Sequence, residues 1–362
     1  MSATSDVIVI GAGVVGAACA MRLAEAGLTV RVIEAGCVAG GATGAGMGHI
    51  CLIDDSQAQF ELSRFSQLEW ASVAAELPRS AEYERCGTIW LATDAEQMAA
   101  VDRKVAEYTR LGISAEKLDS RALREAEPRT RENLMGGLLL PEDAIVYAPV
   151  ATRWMLDRAA ARGAKIETYR RALSAARGVV VTDDGDHASA RHIVCATGIA
   201  AAALVPGVPV RPRKGHLIIT ARAEPVCRHQ LVELAYIANA HGHSDESVSF
   251  NVQPRRTGQL LIGSSRQYGA ATAEVEPRMI AMLLRRAAEY VPSVLDLTVL
   301  RCWTGFRAAT PDSLPIIGAL PGDPTLVLAT GHEGLGLTTS LGTARLVAAH
   351  ITGTTPPFAP EP

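Results

Sequence analysis

The chain has 362 residues, 48% hydrophobic and 20% charged, with 35 lysines and arginines against 38 aspartates and glutamates for a net charge of −3. That length allows roughly two domains and a sizeable core, and the composition excludes global disorder. The near balance of charge leaves no basic field for nucleic acid, so no nucleic-acid partner is expected.

From the amino end, Val7-Ile8-Val9-Ile10 reads as a buried parallel strand. Gly11-Ala12-Gly13-Val14-Val15-Gly16 then opens a helix that runs to Ala26 and stops at Gly27. A second strand, Thr29 to Ile33, ends in Glu34, which follows Gly13 by 21 residues. This is the dinucleotide fingerprint: Gly11 makes the tight turn, Gly13 admits the pyrophosphate, and Gly16 lets helix pack on strand. The helix N-terminus receives the anion, and the acid at this spacing holds ribose hydroxyls. Ala35 to Ile50 follows, dominated by glycine and alanine, and such a segment suits close approach of backbone to something flat or anionic.

The longest uncharged apolar run, Val7 to Met21, is shorter than the ~18 residues a membrane span needs. Asp6 and no basic residue precede it, so neither a span nor a processed leader is expected, and a cytoplasmic location follows. Seven cysteines stand at 19, 37, 51, 86, 195, 227 and 302 without a C-x-x-C pair, so no metal site is expected.

Ala58 to Leu77 carries apolar residues at helical spacing, Tyr83 to Ala92 is strand-like, and Asp94 caps a helix over Ala95 to Leu111. A helix over Val150 to Arg162 precedes a strand at Lys165 to Glu167 and an antiparallel ribbon at Val179 to Thr182. His192 to Cys195 is a buried strand ending in Ala196-Thr197-Gly198. Pro206 to Arg301 reads as a mixed sheet with one long helix, Pro277 to Val291, and alternation puts Asn251 and Gln253 on one strand face, either inward or toward solvent. Trp303 to Gly318 contains Gly305-Phe306-Arg307. A strand, Thr325 to Thr330, then breaks into Gly331-His332-Glu333-Gly334-Leu335-Gly336-Leu337 before a helix from Thr338 to His350.

The fingerprint, Glu34, the loop around Ala42-Thr43-Gly44-Ala45-Gly46, Ala196-Thr197-Gly198 and Gly305-Phe306-Arg307 together resemble the glycine oxidase and D-amino acid oxidase family of FAD-dependent oxidoreductases, over essentially the whole chain. The resemblance implies an α/β protein with a Rossmann-like, glutathione-reductase-type FAD domain over 1–55, 140–205 and 302–362. A mixed-sheet substrate domain would occupy 56–139 and 206–301. It implies FAD contacts from Gly11, Gly13, Val14, Val15, Gly16, Glu34 and Ala35, and from Thr43, Gly44 and Met47. Further contacts would come from Ala172, where the family's usual residue is valine, from Ala196, Thr197, Gly198, Gly305 and Arg307, and from Gly331 through Thr338. The last helix would aim its N-terminus at the flavin pyrimidine. FAD is expected to be held non-covalently, Cys302 being the cysteine from which a tether would come.

Arg307 is implied to bind the substrate carboxylate, a task that suits a planar, permanently charged guanidinium; its own chemistry leaves an ion pair with Asp312 open. His49 is implied to stand at the flavin edge, accepting an ammonium proton or shaping the pocket. Tyr236, Asn251 and Gln253 are candidates for substrate selectivity. The implied reaction oxidises the Cα–N bond of a small amino or imino acid. Gly46 to Ile50 and Arg85 to Trp90 look like the bacterial branch of D-hydroxyproline dehydrogenases, which points to cis-4-hydroxy-D-proline or D-proline. The alternatives are a D-amino acid or glycine oxidase using oxygen, and a flavin subunit of a heteromeric amino acid or opine dehydrogenase. The electron acceptor is left unknown, and a homo-oligomer or hetero-oligomer is left open.

Overall fold

A computed structural model describes residues 5–234, 246–270 and 272–358. These fall into two compact units, one of residues 5–81, 146–213 and 306–358, the other of residues 82–145 and 214–305.

The first unit is built on an eight-stranded sheet. Its main path runs Ile316–Leu320, Asp323–Thr330, His187–Cys195, Ser5–Ile10, Val30–Ile33 and Lys165–Glu167, with the ribbon strands Val179–Thr182 and Ala172–Ala176 attached to His187–Cys195. All neighbours along that path are parallel except the edge strand Ile316–Leu320. Parallel strands are covered on both faces, which is why Val7, Ile8, Val9, Ile193 and Val194 are wholly buried and show no polar alternation. The helix Val14–Glu25 lies against this sheet through small residues, Gly16, Ala17, Ala18 and Ala20, all buried.

Helix ends obey their capping chemistry. Ser56 Oγ accepts the Gln59 N–H at 3.2 Å to start the helix Gln57–Val73. Asp94 Oδ1 accepts the Gln97 N–H while Gln97 Oε1 accepts the Thr93 N–H, both at 2.9 Å. The helix expected over Ala58 to Leu77 ends at Val73 and tightens into a 3₁₀ turn, Ala74–Glu76.

One expected boundary is corrected. Residues 56–81, assigned from sequence to the second domain, cluster with the first unit. The cause is the C-terminal helix Gly336–Thr352: Gly342 N–H donates to Ser66 Oγ at 3.0 Å, and Trp70 Nε1 donates to the Leu337 carbonyl at 3.1 Å. Trp70 is fully buried by that docking. The remaining boundaries move from 140 to 146, from 205 to 213 and from 302 to 306.

The second unit carries the mixed eight-stranded sheet in the order Val299–Ala309, Arg211–Thr220, Leu260–Gln267, Glu246–Pro254, Gln230–Glu233, Thr88–Ala92, Gly136–Leu140 and Glu116–Asp119, the first two strands beginning or ending in the other unit. One face packs Ile89, Leu91, Leu231, Phe250, Val252 and Ile262 against Leu283, Ala287 and Tyr290 of the helix Pro277–Tyr290. Phe250 and Tyr290 stack with ring centroids 4.4 Å apart. Glu233, completely buried beside them, accepts from the Phe250 N–H, the Tyr290 hydroxyl and the Arg286 guanidinium. A buried carboxylate is tolerable only with that many donors.

His332 lies at the end of strand Asp323–Thr330, with its Nε2 3.0 Å from Thr343 Oγ1. Burial disfavours the imidazolium and pushes its pKa down to about 4. Above the ordinary value of about 6.5 the ring is neutral folded or unfolded. Below that, down to about 4, only the unfolded chain takes the proton, so stability falls with falling pH through this window. Urea midpoints should therefore drop between pH 7 and pH 5, and His332→Gln should flatten the drop, by at most about 3 kcal/mol of pH-dependent stability.

Candidate functional site

Within the first unit, four separated backbone segments meet. Gly11, at φ +104°, donates its N–H to the Ile33 carbonyl at 2.8 Å, and a Cβ there would lie 2.5 Å from the Ala196 carbonyl oxygen. A Cβ on Gly16 would lie 2.0 Å from the Gly11 carbonyl oxygen. Both distances are far inside van der Waals contact, so only glycine fits at either position. Ala196 N–H donates to the Ile10 carbonyl at 2.9 Å, which joins the end of the His187–Cys195 strand to the fingerprint turn.

The loop after Glu34 folds onto the same turn. Ala39 N–H donates to the Ala12 carbonyl at 3.0 Å, and Thr43 Oγ1 accepts the Val14 N–H at 3.0 Å. Gly44 stands in a four-residue helical turn, Ala42–Ala45, where a Cβ would meet the Ala39 carbonyl oxygen at 2.5 Å. Met47 is buried just beyond. The C-terminal segment closes the arrangement: a Cβ on Gly336 would stand 3.9 Å from Val15 Cγ2, and Thr338 Oγ1 donates to the His49 carbonyl at 3.0 Å. Thr330 Oγ1 donates to the Gly198 carbonyl at 3.1 Å.

Two helices therefore begin beside one another, Val14–Glu25 and Gly336–Thr352, and neither has an acidic residue in its first turn or a side-chain cap from its N-cap residue, Gly13 or Leu335. Their first N–H groups and dipoles favour an anion or developing negative charge. Glu34 supplies the carboxylate. Its Oε2 accepts the Ala12 N–H and its Oε1 the Gly36 N–H, each at 2.7 Å, which fixes its orientation while leaving lone pairs for further hydroxyl donors. Its backbone is tied to Glu167 and Arg170 by bonds of 2.8 and 2.9 Å.

Side-chain exclusion, a helix start with no side-chain cap from its own N-cap residue and an oriented carboxylate are what a dinucleotide requires, so the residues present fit FAD. Gly11, Gly13, Val14, Val15 and Gly16 would hold its pyrophosphate, Glu34 its ribose, and the 43–47, 196–198 and 331–338 segments the remainder.

Other sequence candidates lie apart or differ in detail. Ala172 pairs with Thr182 in the ribbon, two residues beyond the Arg170 that bonds Glu34. Ala35 is exposed. His332 is turned inward on Thr343, so only its backbone faces the glycine turn. Arg307, half-buried, packs beside Gly334, whose Cβ position is 3.6 Å from both Cδ and Nε of the arginine. Asp312 Oδ1 accepts the Leu314 N–H at 3.0 Å. Gly305 closes the second unit. Cys302 packs on the second unit's apolar core, and burial raises its thiol pKa. Asn251 and Gln253 are both buried in the strand Glu246–Pro254, on the sheet face opposite Phe250 and Val252. Tyr236 lies outside the described residues.

Some residues around the site were not picked out from sequence. Arg31 is buried in a parallel strand and bonds both oxygens of Glu167, at 2.6 and 2.9 Å, while Arg170 bonds the same carboxylate at 2.5 Å. These contacts clamp the two strands that carry the Glu34 bonds. An arginine flanked by Val30 and Val32 was the available signal, since a buried guanidinium requires an acid. Arg213, also buried, lies 3.4 Å from Glu333 in the glycine turn.

The described residues contain no helix long and apolar enough to cross a membrane. A family model described as DAO, FAD dependent oxidoreductase, matches residues 6–350. The chain is 31% identical to the bifunctional protein ThiO/ThiG of Nostoc sp. over 95% of its own length, and spans about half (52%) of that relative. It is 27% identical to the glycine oxidase of Bacillus licheniformis, over 96% of this chain and 93% of that one. The crystal structure of glycine oxidase from Geobacillus kaustophilus superposes with a TM-score of 0.88 at 27% identity, covering 98% of this chain and 96% of the other. With its fingerprint, converging glycine segments and a family match running almost end to end, the chain belongs to the DAO family of FAD-dependent oxidoreductases.

Proposed function

We propose that this chain oxidises the Cα–N bond of a small amino or imino acid, with cis-4-hydroxy-D-proline or D-proline as its substrate. The observation that carries the reading is Arg307, whose Cδ and Nε stand 3.6 Å from where a Cβ on Gly334 would lie, in the turn that leads into the C-terminal helix. Family membership, and similarity to a glycine oxidase over nearly the full length of both chains, support the donor class. The pyrrolidine ring rests on the likeness of Gly46 to Ile50 and Arg85 to Trp90.

Arg307 takes the substrate carboxylate through two parallel N–H donors, which fixes both position and rotation. Asn251 and Gln253, both buried, remain the candidates for substrate selectivity. His49 accepts the proton from the substrate nitrogen or shapes the space around it. FAD, when bound, would supply the two-electron acceptor for an oxidation that turns the substrate's C–N bond into an imine. Holding the reacting atoms in a near-attack geometry accounts for as much as ~7 to 11 kcal/mol of such a barrier. The Gly331–Thr338 turn and the start of the helix Gly336–Thr352 would offer N–H groups to negative charge on that cofactor.

Purified protein should be yellow, and cis-4-hydroxy-D-proline or D-proline should bleach the flavin anaerobically; a flavin that neither compound bleaches contradicts the substrate proposal. Stoichiometric hydrogen peroxide in air would mark an oxidase, and dye reduction without peroxide a dehydrogenase. Arg307→Ala should lower kcat/KM by roughly 30-fold or more with flavin content unchanged, because the charge partner of the substrate carboxylate is lost. Glu34→Ala should weaken FAD binding roughly 10- to 100-fold by fluorescence titration, the value of charged hydrogen bonds to ribose.

A further inference from the structure

The turn that follows the edge strand Lys165–Glu167 runs beside Glu34. That strand pairs in parallel with Val30–Ile33, with Glu167 opposite Ile33, so both end at the same edge of the first unit's sheet. Ligands of open α/β sheets lie outside such carboxyl ends. Beyond them the two segments are laced together by backbone. Glu34 N–H donates to the Glu167 carbonyl at 2.8 Å, Arg170 N–H to the Glu34 carbonyl at 2.9 Å, and Tyr169 N–H to the Gly36 carbonyl at 3.1 Å.

Tyr169 is out of place in this turn in two respects. Its side chain is 77% exposed, the most open of the large hydrophobic residues described. Its backbone stands at φ +58°, a left-handed conformation that a bulky residue rarely adopts. Neither feature contributes to the apolar core. The surroundings enforce both, since the next residue, Arg170, bonds Glu167 at 2.5 Å, Asp186 at 2.7 Å and Asp184 at 3.1 Å. Strain of this kind persists only where the structure over-determines it, and it gathers at ligand sites. Among the described residues six other than glycine have a positive φ. Three of them, Ala39, Tyr169 and Glu333, lie in the loop after Glu34, in this turn and in the Gly331–Thr338 turn.

Glu34 is oriented for a ribose, and the base carried by that ribose needs a flat apolar face. Ala35, exposed beside it, brings only a methyl group. We propose that Tyr169 is a cofactor-binding residue whose ring stacks on the adenine of FAD, so that its exposure and its strained backbone serve the ligand rather than the fold. The proposal rests on the assignment of Glu34 to the adenosine ribose and is independent of the substrate. Stacking on a base accepts any aromatic ring, and its loss weakens binding roughly 5- to 150-fold.

Two measurements read the contact without turnover: release of FAD from the diluted holoenzyme, followed by flavin fluorescence, and titration of the flavin-stripped chain with ADP. Tyr169→Ala should speed release and weaken ADP binding about tenfold each, while Tyr169→Phe should keep both within about twofold of wild type. Tyr169→Gly should lose affinity as Tyr169→Ala does, yet raise the unfolding temperature of the stripped chain, because glycine takes φ +58° without strain. A residue that served the fold alone would not move the two in opposite directions. Unchanged release and ADP affinity in Tyr169→Ala, or a loss in Tyr169→Phe as large as that in Tyr169→Ala, overturns the stacking. A wild-type chain that takes up neither FAD nor ADP overturns the assignment of Glu34 and this proposal with it. FAD held through Tyr169 but bleached by neither cis-4-hydroxy-D-proline nor D-proline supports the stacking and contradicts only the substrate.

Discussion

The fold depends on an exclusion: at the crossing of the fingerprint turn with the Ala196 strand end there is no volume for a side chain. A single methyl group on Gly16 would sit 2.0 Å from the Gly11 carbonyl oxygen, and one on Gly11 would sit 2.5 Å from that of Ala196. Because backbone touches backbone there, the Val14–Glu25 helix starts hard against the sheet, just after the Ala12 N–H that Glu34 accepts. The 39–48 loop and the Gly331–Thr338 turn then reach the same place through single hydrogen bonds, Ala39 to Ala12, Val14 to Thr43 and Thr338 to His49. Relaxing the crossing would displace every later contact.

The two units divide the physical work. The first uses a parallel sheet, helix starts and backbone groups, tied by Glu34, the Arg31–Glu167–Arg170 clamp and single bonds from Thr43, Thr338 and Ser66. Such a surface suits an anionic dinucleotide whose features are phosphates and ribose hydroxyls. The second unit isolates its charges, as with Glu233 held by Phe250, Arg286 and Tyr290, and turns an uncharged polar row away from its core.

Much of the first unit was legible because its constraints are local. Strand, glycine triplet, helix, strand and acid follow within about thirty residues, and each has a steric or electrostatic reason. The alternation that placed Asn251 and Gln253 on a shared face was also local, and burial resolves it inward. What escaped was contact across long sequence distance. Nothing near Ser66 or Trp70 indicates that they bond Gly342 and Leu337, some 270 residues later, so the helix Gln57–Val73 was assigned to the wrong domain.

In our reading this geometry takes one whole FAD, with Glu34 and the helix start toward its adenosine half and the later glycine segments toward its flavin half. Competition titration of the flavin-stripped chain decides it, with FAD, FMN and NAD offered separately and together. One FAD should bind per chain, displaced by neither FMN nor NAD at equal concentration. Equal or stronger binding of FMN or NAD, or a chain that takes up no FAD, would overturn this reading.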